Sequence, residues 1–304
     1  KILVDELGLN EARRQIYEHY NSLKNESRLP STDVIKFITD EFSPPDFSTA
    51  KEHDLEKDFI RSLSLKNWTE TNLTSHRDSN HVIVSVSLKK PGSTPGDATA
   101  KQMRVLADLA EQYAYDELRV SHEQNIILPH VPKQHVMKIY NKLNEADLAT
   151  PNIGMVSDII SCPGMDYCKL ATARSIPIAK QIATRFCELK TERDIGPLKI
   201  KMSGCINACG HHHVGHIGIL GLDRGGVENY QITLGGDGTE DAHIGKCIGP
   251  GFSADKLIKA IEAIINVYLN DRKNRNETFL NFYRRVGLSP FKLAIYGLPG
   301  FAYF

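Results

Sequence analysis

The sequence predicts an α+β protein built from two regions with different strand patterns. In the first region, "HVIVSVSL" alternates apolar and polar residues from His81, which is typical of a strand with one buried face. In the second region, two predicted strands each run directly into a pair of cysteines. With 304 residues and 41% hydrophobic content, the chain can form one large domain or two ordinary ones.

The first part of the chain is predicted to be a helix followed by a linker. Apolar residues recur at helical spacing from Leu7 to Leu23, and Asn10 is placed to cap this helix. "LPSTDV" and "FSPPDFS" are rich in proline and serine, which predicts a linker up to about residue 55.

Residues 71–149 are predicted to form a ferredoxin-like half-domain. Every second residue of the strand from His81, from Val82 to Leu88, is predicted to lie on one face. Asp97 is placed to cap the helix that follows. "ELRVSHEQNIIL" predicts a strand, a polar turn and another strand, and residues 133–147 return to helix. The order β-α-β-β-α is most of a ferredoxin-like unit. The inward residues of the two helices are predicted to be Met103, Leu106, Leu109 and Tyr113, then Val136, Ile139, Tyr140 and Leu143.

Residues 150–304 are predicted to form a mixed α/β domain. "GMVSDII" is a predicted strand before the first cysteine pair, and "LKIKM" is a predicted strand before the second. Between them lies a helix that ends near Leu189 and is interrupted or kinked by Pro177. "VGHIGILGL" and "ENYQITL" are further strands, Ser253 is placed to cap an amphipathic helix, and residues 278–286 form a last helix.

The cysteine pairs are the strongest functional signal. Cys162 and Cys168 are separated by five residues, and Cys205 and Cys209 by three. Because each pair follows a predicted strand, both loops can emerge at one edge of a sheet. Four thiolates suit either tetrahedral zinc or an iron–sulfur cluster. Zinc sites mostly use Cys-x2-Cys, so these wider gaps favour a cluster, while zinc stays the alternative.

"SCPGMDYCKLATA" and "KMSGCINACGHHHVGHIGILG" resemble the two cluster loops of the siroheme-dependent sulfite and nitrite reductase hemoprotein family. "RVSHEQNIIL" is similar to that family's second ferredoxin-like half-domain, and "YQITLGGD" to its later glycine-rich strand. The resemblance covers about residues 75–290 and is specific, since the four cysteines and Asn207 match in order. It identifies the chain as the C-terminal half of such a protein, with residues 1–70 expected to be the tail of a preceding domain plus linker.

The resemblance implies a 4Fe-4S cluster and siroheme as cofactors. The cluster ligands would be Cys162, Cys168, Cys205 and Cys209, and Cys209 would also bridge to the siroheme iron. The implied activity is the six-electron reduction of sulfite to sulfide in assimilatory sulfur metabolism, with nitrite reduction to ammonia as the alternative. A non-catalytic iron–sulfur or zinc module is a second alternative. The further residues that we predict to contact the cofactors are Gln124, Asn125, Asn207, His211, His212 and His213.

The implied partners are sulfite or nitrite and an electron donor, either a flavoprotein or a ferredoxin. The 37 basic and 37 acidic residues balance, which gives no global attraction for nucleic acid or an anionic membrane. No apolar run of transmembrane length occurs, and the few cysteines predict a reducing, cytoplasmic location. No catalytic residue is assigned, because the family's anion-binding arginines and lysines come largely from the preceding half. Lys199 and Lys201 are predicted to lie on a solvated strand face.

Overall fold

The structure is a computed structural model that describes residues 2–24, 30–60 and 62–297. The chain divides into two compact units, residues 1–47 and 48–304. The predicted domain ranges 1–70 and 150–304 include residues outside this description, and boundaries near residues 70 and 150 stay a prediction.

The first unit is helical, and it corrects two expectations. The predicted helix begins at Leu9 and its cap is Gly8, not Asn10, because the left-handed φ of 78° at Gly8 separates it from a short preceding helix. Thr32 and the residues after it in "LPSTDV" are not linker, since the Ser31 side chain accepts a hydrogen bond from the Val34 N–H and starts a further helix; Leu29 lies outside the described residues. The helices are α1 (Ile2–Leu7), α2 (Leu9–Leu23) and α3 (Thr32–Glu41).

The ferredoxin-like region folds around an antiparallel sheet with the strand order β1-β2-β4-β3. The alternating residues from Val82 to Leu88 are buried as predicted, and they pack with the two flanking helices in one hydrophobic core. Leu65 and Trp68, from the helix before the sheet, complete this core. The elements are α4 (Glu56–Phe59), α5 (Leu63–Asn72), β1 (Leu73–Ser75), β2 (His81–Val86), α6 (Ala100–Tyr113), β3 (Arg119–Val120), β4 (Ile126–Pro132) and α7 (Val136–Glu145).

The start of α6 differs from its prediction. Thr99 caps the helix in place of Asp97, because Thr99 and Gln102 form a reciprocal capping box in which each side chain accepts the other residue's backbone N–H. Met103 is also 62% exposed, so it lies outside the core face predicted for it.

The second region contains a mixed sheet with the strand order β5-β6-β7-β8-β9. β5, β6 and β7 run parallel, whereas β8 and β9 pair antiparallel to their neighbours. The apolar faces of the sheet and its helices form the larger hydrophobic core. The elements are β5 (Ile160–Ser161), α8 (Ile176–Leu189), α9 (Glu192–Ile195), β6 (Ile200–Ser203), β7 (Ile217–Arg224), β8 (Val227–Leu234), β9 (Lys246–Cys247), α10 (Ala254–Asp271), α11 (Phe279–Val286) and α12 (Ser289–Tyr296).

Two predictions for this region were wrong in detail. "GMVSDII" contributes only a short strand, because the Asp158 carboxylate accepts the Gly154 N–H at 2.7 Å and folds the preceding residues into turns. Pro177 does not kink a helix, since it lies in the first turn of α8, where its missing N–H has no helical partner to lose. Ser253 occupies the cap position of α10 as predicted, although its side chain makes no capping hydrogen bond. The helix predicted over residues 278–286 is α11, capped by Thr278, but it is not the last one, because α12 follows it.

Buried polar contacts join the ferredoxin-like region to the mixed sheet. The Lys89 ammonium, on a side chain that is 1% exposed, pairs with the Asp158 carboxylate at 2.7 Å. The Asn72 amide donates to the carbonyls of Ser85, at 2.9 Å, and Thr150, at 3.1 Å. Because buried hydrogen-bonded groups tolerate little displacement, these contacts hold Lys89 and Asn72 of the ferredoxin-like region against the segment that leads from Thr150 to β5.

Candidate metal centre

The two cysteine loops leave neighbouring strands of the mixed sheet. Cys162 follows β5 directly, and Cys205 comes two residues after β6. β5 and β6 are parallel and adjacent, with Ser161 opposite Met202. Since parallel strands end at the same edge, the sheet brings both loops together there, which confirms the expectation of a common edge.

Backbone hydrogen bonds lock the two loops to each other. The Gly204 carbonyl accepts the N–H groups of Thr172 and Ala173 at 2.9 and 3.0 Å. A Cβ at Gly204 would lie 2.6 Å from the Ala173 carbonyl oxygen and 3.0 Å from the Gly164 Cα. Only glycine therefore allows the backbones to approach this closely.

The four cysteines of the loops are free thiols that differ in exposure. Cys162 and Cys205 are buried, Cys168 is half-buried, and Cys209 is exposed. The buried Cys162 Sγ accepts the Gly204 N–H at 3.0 Å, across the two loops, and lies 3.4 Å from the Ser175 Oγ. The hydrogen bond to Sγ therefore ties the first cysteine loop to the second.

The second loop turns tightly between its two cysteines and the histidines. The Ala208 N–H donates to the Cys205 carbonyl at 3.2 Å, and the His211 N–H donates to the Ala208 carbonyl at 2.8 Å. A Cβ at Gly210 would come within 1.8 Å of the Met202 carbonyl oxygen, so the loop can fold back over β6 only with glycine at that position.

The predicted cofactor-contacting residues of this loop lie in different environments. Asn207 and His211 are exposed beside the cysteines. His212 is buried and stacks on His213, with ring centroids 4.0 Å apart, and the His213 carbonyl accepts the Gly245 N–H at 2.7 Å. His212 and His213 therefore connect the cysteine loop to the loop before β9, and their contact with a cofactor stays a prediction.

Gln124 and Asn125 use their side-chain amides within the protein. The Gln124 amide donates to the Ser161 carbonyl at 2.8 Å and accepts the Ser161 N–H at 3.0 Å. The Asn125 amide accepts the Leu88 N–H at 3.2 Å and donates to the Asp158 carboxylate at 3.1 Å. Both residues therefore position the strand that leads into Cys162, while their predicted contact with the macrocycle stays untested.

The lysines before the second loop do not lie on a solvated strand face. Lys201 is only 4% exposed, and Lys199 pairs with Glu123 at 2.6 Å. Burial alone would raise the pKa of Glu123, but the hydrogen bond and charge of Lys199 hold it below its usual value. The alternation in "LKIKM" identifies the shared face of the two lysines but not what covers it.

His216, directly before β7, is a neutral base in this setting. Its Nδ1 accepts the Lys199 N–H at 3.1 Å, which requires that nitrogen to carry no proton. Burial, together with the nearby charge of Lys199, lowers the pKa of His216 to about 4.

The residues at this sheet edge fit an iron–sulfur cluster by their chemistry. The four free thiols come from two loops whose backbones approach so closely that only glycine fits between them, and the buried Cys162 sulfur accepts a backbone N–H. Cysteine thiolates are the ligands that iron–sulfur clusters require, and hydrogen bonds to sulfur tune their potentials. The sequence pattern did not reveal that the Gly204 N–H donates to the Cys162 sulfur or that the Ser175 hydroxyl lies beside it.

Family models match most of the second unit. Residues 79–146 match the nitrite/sulfite reductase ferredoxin-like half domain, and residues 154–297 match the nitrite and sulphite reductase 4Fe-4S domain. The chain belongs to the nitrite and sulfite reductase family. The predicted family and fold class are thus confirmed, and membership implies the predicted cofactors, a 4Fe-4S cluster and siroheme.

Individual relatives include reductases of both substrates. Ferredoxin–nitrite reductase of Synechococcus elongatus is 30% identical over 175 residues, which are 56% of this chain and 34% of that protein. Sulfite reductase (ferredoxin) 1 of Mycolicibacterium paratuberculosis is 26% identical over 201 residues, which are 63% of this chain and 36% of that protein. The chain therefore spans about a third of the length of these curated relatives.

A solved structure agrees with the fold. The NirA protein of Mycobacterium tuberculosis matches 73% of this chain and 41% of its own length, with a TM-score of 0.61 and 20% identity. Among the helices of the described residues, none combines the length and apolar character needed to cross a membrane.

Proposed function

We propose that this chain is the cluster-bearing part of a sulfite reductase. In that role Cys162, Cys168, Cys205 and Cys209 would hold the 4Fe-4S cluster, and Cys209 would be the ligand shared with the siroheme iron. When bound, the cofactors would pass on, one at a time, the six electrons that the reduction of sulfite to sulfide requires, and a ferredoxin or flavoprotein would be their source. The observation that carries the proposal is the pairing of both cysteine loops at one sheet edge through Gly204.

The exposure of the thiols supports the bridging role. A sulfur shared by two metal groups must be reachable from the side on which the second group binds. Cys209 is exposed, whereas Cys162 and Cys205 are buried under the loops. The exposed thiol is therefore the best candidate for the shared ligand.

The spacing of the ligands argues against a structural zinc site. Tetrahedral zinc draws its sulfurs to within about 2.3 Å of one ion. The cysteines of this chain are instead separated by five and three residues, wider than the Cys-x2-Cys turns that most structural zinc sites use. A 4Fe-4S cluster binds its four cysteine sulfurs at four separate iron atoms, so these sulfurs lie farther apart than those around a single zinc ion.

A nitrite reductase is the second candidate. Ferredoxin–nitrite reductase of Synechococcus elongatus is 30% identical to this chain, against 26% for the sulfite reductase of Mycolicibacterium paratuberculosis. Both anions would bind the same iron, so a comparison of sulfite and nitrite reduction by the full-length enzyme discriminates the two.

Metal analysis of single cysteine variants tests the cluster. After anaerobic purification we expect about four iron and about four acid-labile sulfide per chain. Serine at Cys162, Cys168, Cys205 or Cys209 should abolish this content, because each substitution removes one corner ligand.

Cys187 and Cys247 provide matched controls, since both are free, exposed thiols outside the two loops. Serine at either position should leave iron and sulfide unchanged. Stoichiometric zinc without sulfide in the parent chain, or equal loss of iron in the control variants, would contradict the assignment.

A further inference from the structure

A short return segment, residues 172–175, leads from the first cysteine loop into α8. The Thr172 hydroxyl donates to the Gly204 carbonyl at 3.1 Å, which ties the segment to the second loop. Ser175 is fully buried, and its hydroxyl donates to the Cys162 carbonyl at 2.8 Å and lies 3.4 Å from the Cys162 sulfur. The position of this sulfur, a predicted cluster ligand, therefore depends on the return segment.

A carboxylate of the mixed sheet holds the middle of the return segment. Glu228, on β8, accepts the Arg174 backbone N–H at 2.8 Å and the Arg174 guanidinium at 2.7 Å, one with each carboxylate oxygen. The same guanidinium lies 3.9 Å from the carboxylate of Asp166, which stands between Cys162 and Cys168. Glu228 is therefore bound to both the backbone and the side chain of Arg174, beside the first cysteine loop.

Tyr230 anchors this carboxylate to the hydrophobic core. Its hydroxyl lies 2.8 Å from the Glu228 carboxylate and 3.0 Å from the Arg174 carbonyl, and it donates to both acceptors. Tyr230 is only 1% exposed and packs in the core of the mixed sheet. Burial raises the pKa of Tyr230 and the hydrogen bond to Glu228 raises it further, so the hydroxyl keeps the proton that it donates.

We propose that Glu228 is a positioning residue of the cysteine centre and holds the return segment closed against the Cys162 sulfur. An isolated ion pair at the surface contributes little, whereas Glu228 accepts a backbone N–H, a guanidinium and a hydroxyl at once. Without this acceptor the segment opens more often, because a hydrogen-bonded group of the backbone loses its partner. The effect on a cluster rests on the proposed function, but the closure of the segment is a property of the chain itself.

Amide hydrogen exchange of the intact chain tests the closure of the return segment. The Thr172 and Ala173 N–H groups donate to the Gly204 carbonyl, so they exchange when the segment opens. Glu228→Ala should raise their exchange rate about tenfold, since hydrogen bonds to a charged acceptor are lost. Glu228→Gln keeps one carbonyl oxygen at the same reach and should give a smaller increase.

Two controls separate local opening from a general loss of stability. In both Glu228 variants the amides of α10 should keep the parent's exchange rate, whereas general destabilisation would speed exchange there as well. Glu262→Gln removes the carboxylate of a matched ion pair with Arg185, and the side chain of Glu262 is 24% exposed against 26% for Glu228. This variant should leave exchange in the return segment unchanged.

Tyr230→Phe keeps the test decisive if Glu228→Ala fails to fold. The substitution retains the buried ring and removes only the hydroxyl that donates to Glu228 and to the Arg174 carbonyl. We expect exchange in the return segment to become a few-fold faster. Unchanged exchange in this variant and in Glu228→Gln overturns the proposal, as does an equal increase in α10.

Iron release to a chelator measures the consequence for the cluster. After anaerobic purification, the rate of iron loss should follow the order of the exchange rates, fastest in Glu228→Ala and equal to the parent in Glu262→Gln. Parental iron loss from a variant whose return segment opens faster would overturn the role at the cluster. A parent chain without iron would contradict the proposed function, and the exchange rates would still decide whether Glu228 closes the segment.

Discussion

Asp158→Asn should strongly destabilise the junction between the ferredoxin-like region and the mixed sheet. The carboxylate accepts the Lys89 ammonium at 2.7 Å, the Asn125 amide at 3.1 Å and the Gly154 N–H at 2.7 Å. Lys89 and Asp158 are 2% and 6% exposed. The substitution leaves Lys89 as a buried cation whose remaining acceptor is the Glu123 carbonyl.

The size of the effect follows from burial. Removing one partner of a buried ion pair costs about 3–5 kcal/mol. At about 2–4 °C per kcal/mol, the expected loss is roughly 6–20 °C in Tm. The adjacent lysine supplies a matched control, because Lys90 pairs with Asp147 while their side chains are 50% and 67% exposed. Asp147→Asn should therefore cost less than about 1 kcal/mol.

Urea unfolding followed by tryptophan fluorescence measures this difference. Trp68 is the only tryptophan and is fully buried in the ferredoxin-like core, so its emission reports this half of the junction. The double variant Lys89→Met/Asp158→Leu should recover much of the lost stability, because it removes both buried charges. If Asp158→Asn costs no more than Asp147→Asn, or if the double variant is as unstable as the single one, the reasoning is refuted.

Three further predictions concern the cluster edge. Gly204→Ala should abolish iron binding in the anaerobically purified chain, because the added Cβ would lie 2.6 Å from the Ala173 carbonyl oxygen; near-parental iron content would contradict this. Ser175→Ala removes a fully buried hydroxyl that donates to a loop carbonyl at 2.8 Å, and should cost about 1–3 kcal/mol and speed cluster loss to a chelator. His216 has a folded-state pKa of about 4, below the unfolded value of about 6.5, so its stabilising effect is complete above about pH 6.5 and is lost as pH falls toward 4. The free energy of unfolding is measured in urea at pH 7.5 and at pH 4.5. Its decrease between the two pH values should be smaller in His216→Gln than in the parent by up to about 3 kcal/mol, and an equal decrease would show that His216 does not cause it.

The sequence alone indicated the main elements of the fold and predicted the ligand chemistry. Alternation from Val82 identified the central strand, and helical spacing identified the buried face of α7. The positions of Cys162 and Cys205 after two strands predicted their common sheet edge. These signals are readable because each depends on residues within a few positions of one another along the chain.

Element ends were less predictable, for a local reason. Thr99 and Asp97 are both good helix caps, and the capping box with Gln102 decides between them. In the same way, "GMVSDII" has the apolar content of a strand, but the Asp158 carboxylate draws most of it into turns. Competing hydrogen bonds of similar strength settle such choices, and only the folded chain reveals which forms.

The tertiary structure decided what surrounds Lys199 and Lys201, at the beginning of β6. The pattern in "LKIKM" gave Lys199 and Lys201 a common face, and a solvated face was the expectation. The fold instead brings Glu123 to that face from 76 residues away along the chain, where it pairs with Lys199, and Lys201 is only 4% exposed. Periodicity states which side chains share a face, whereas burial of that face depends on contacts between distant segments, which no local pattern encodes.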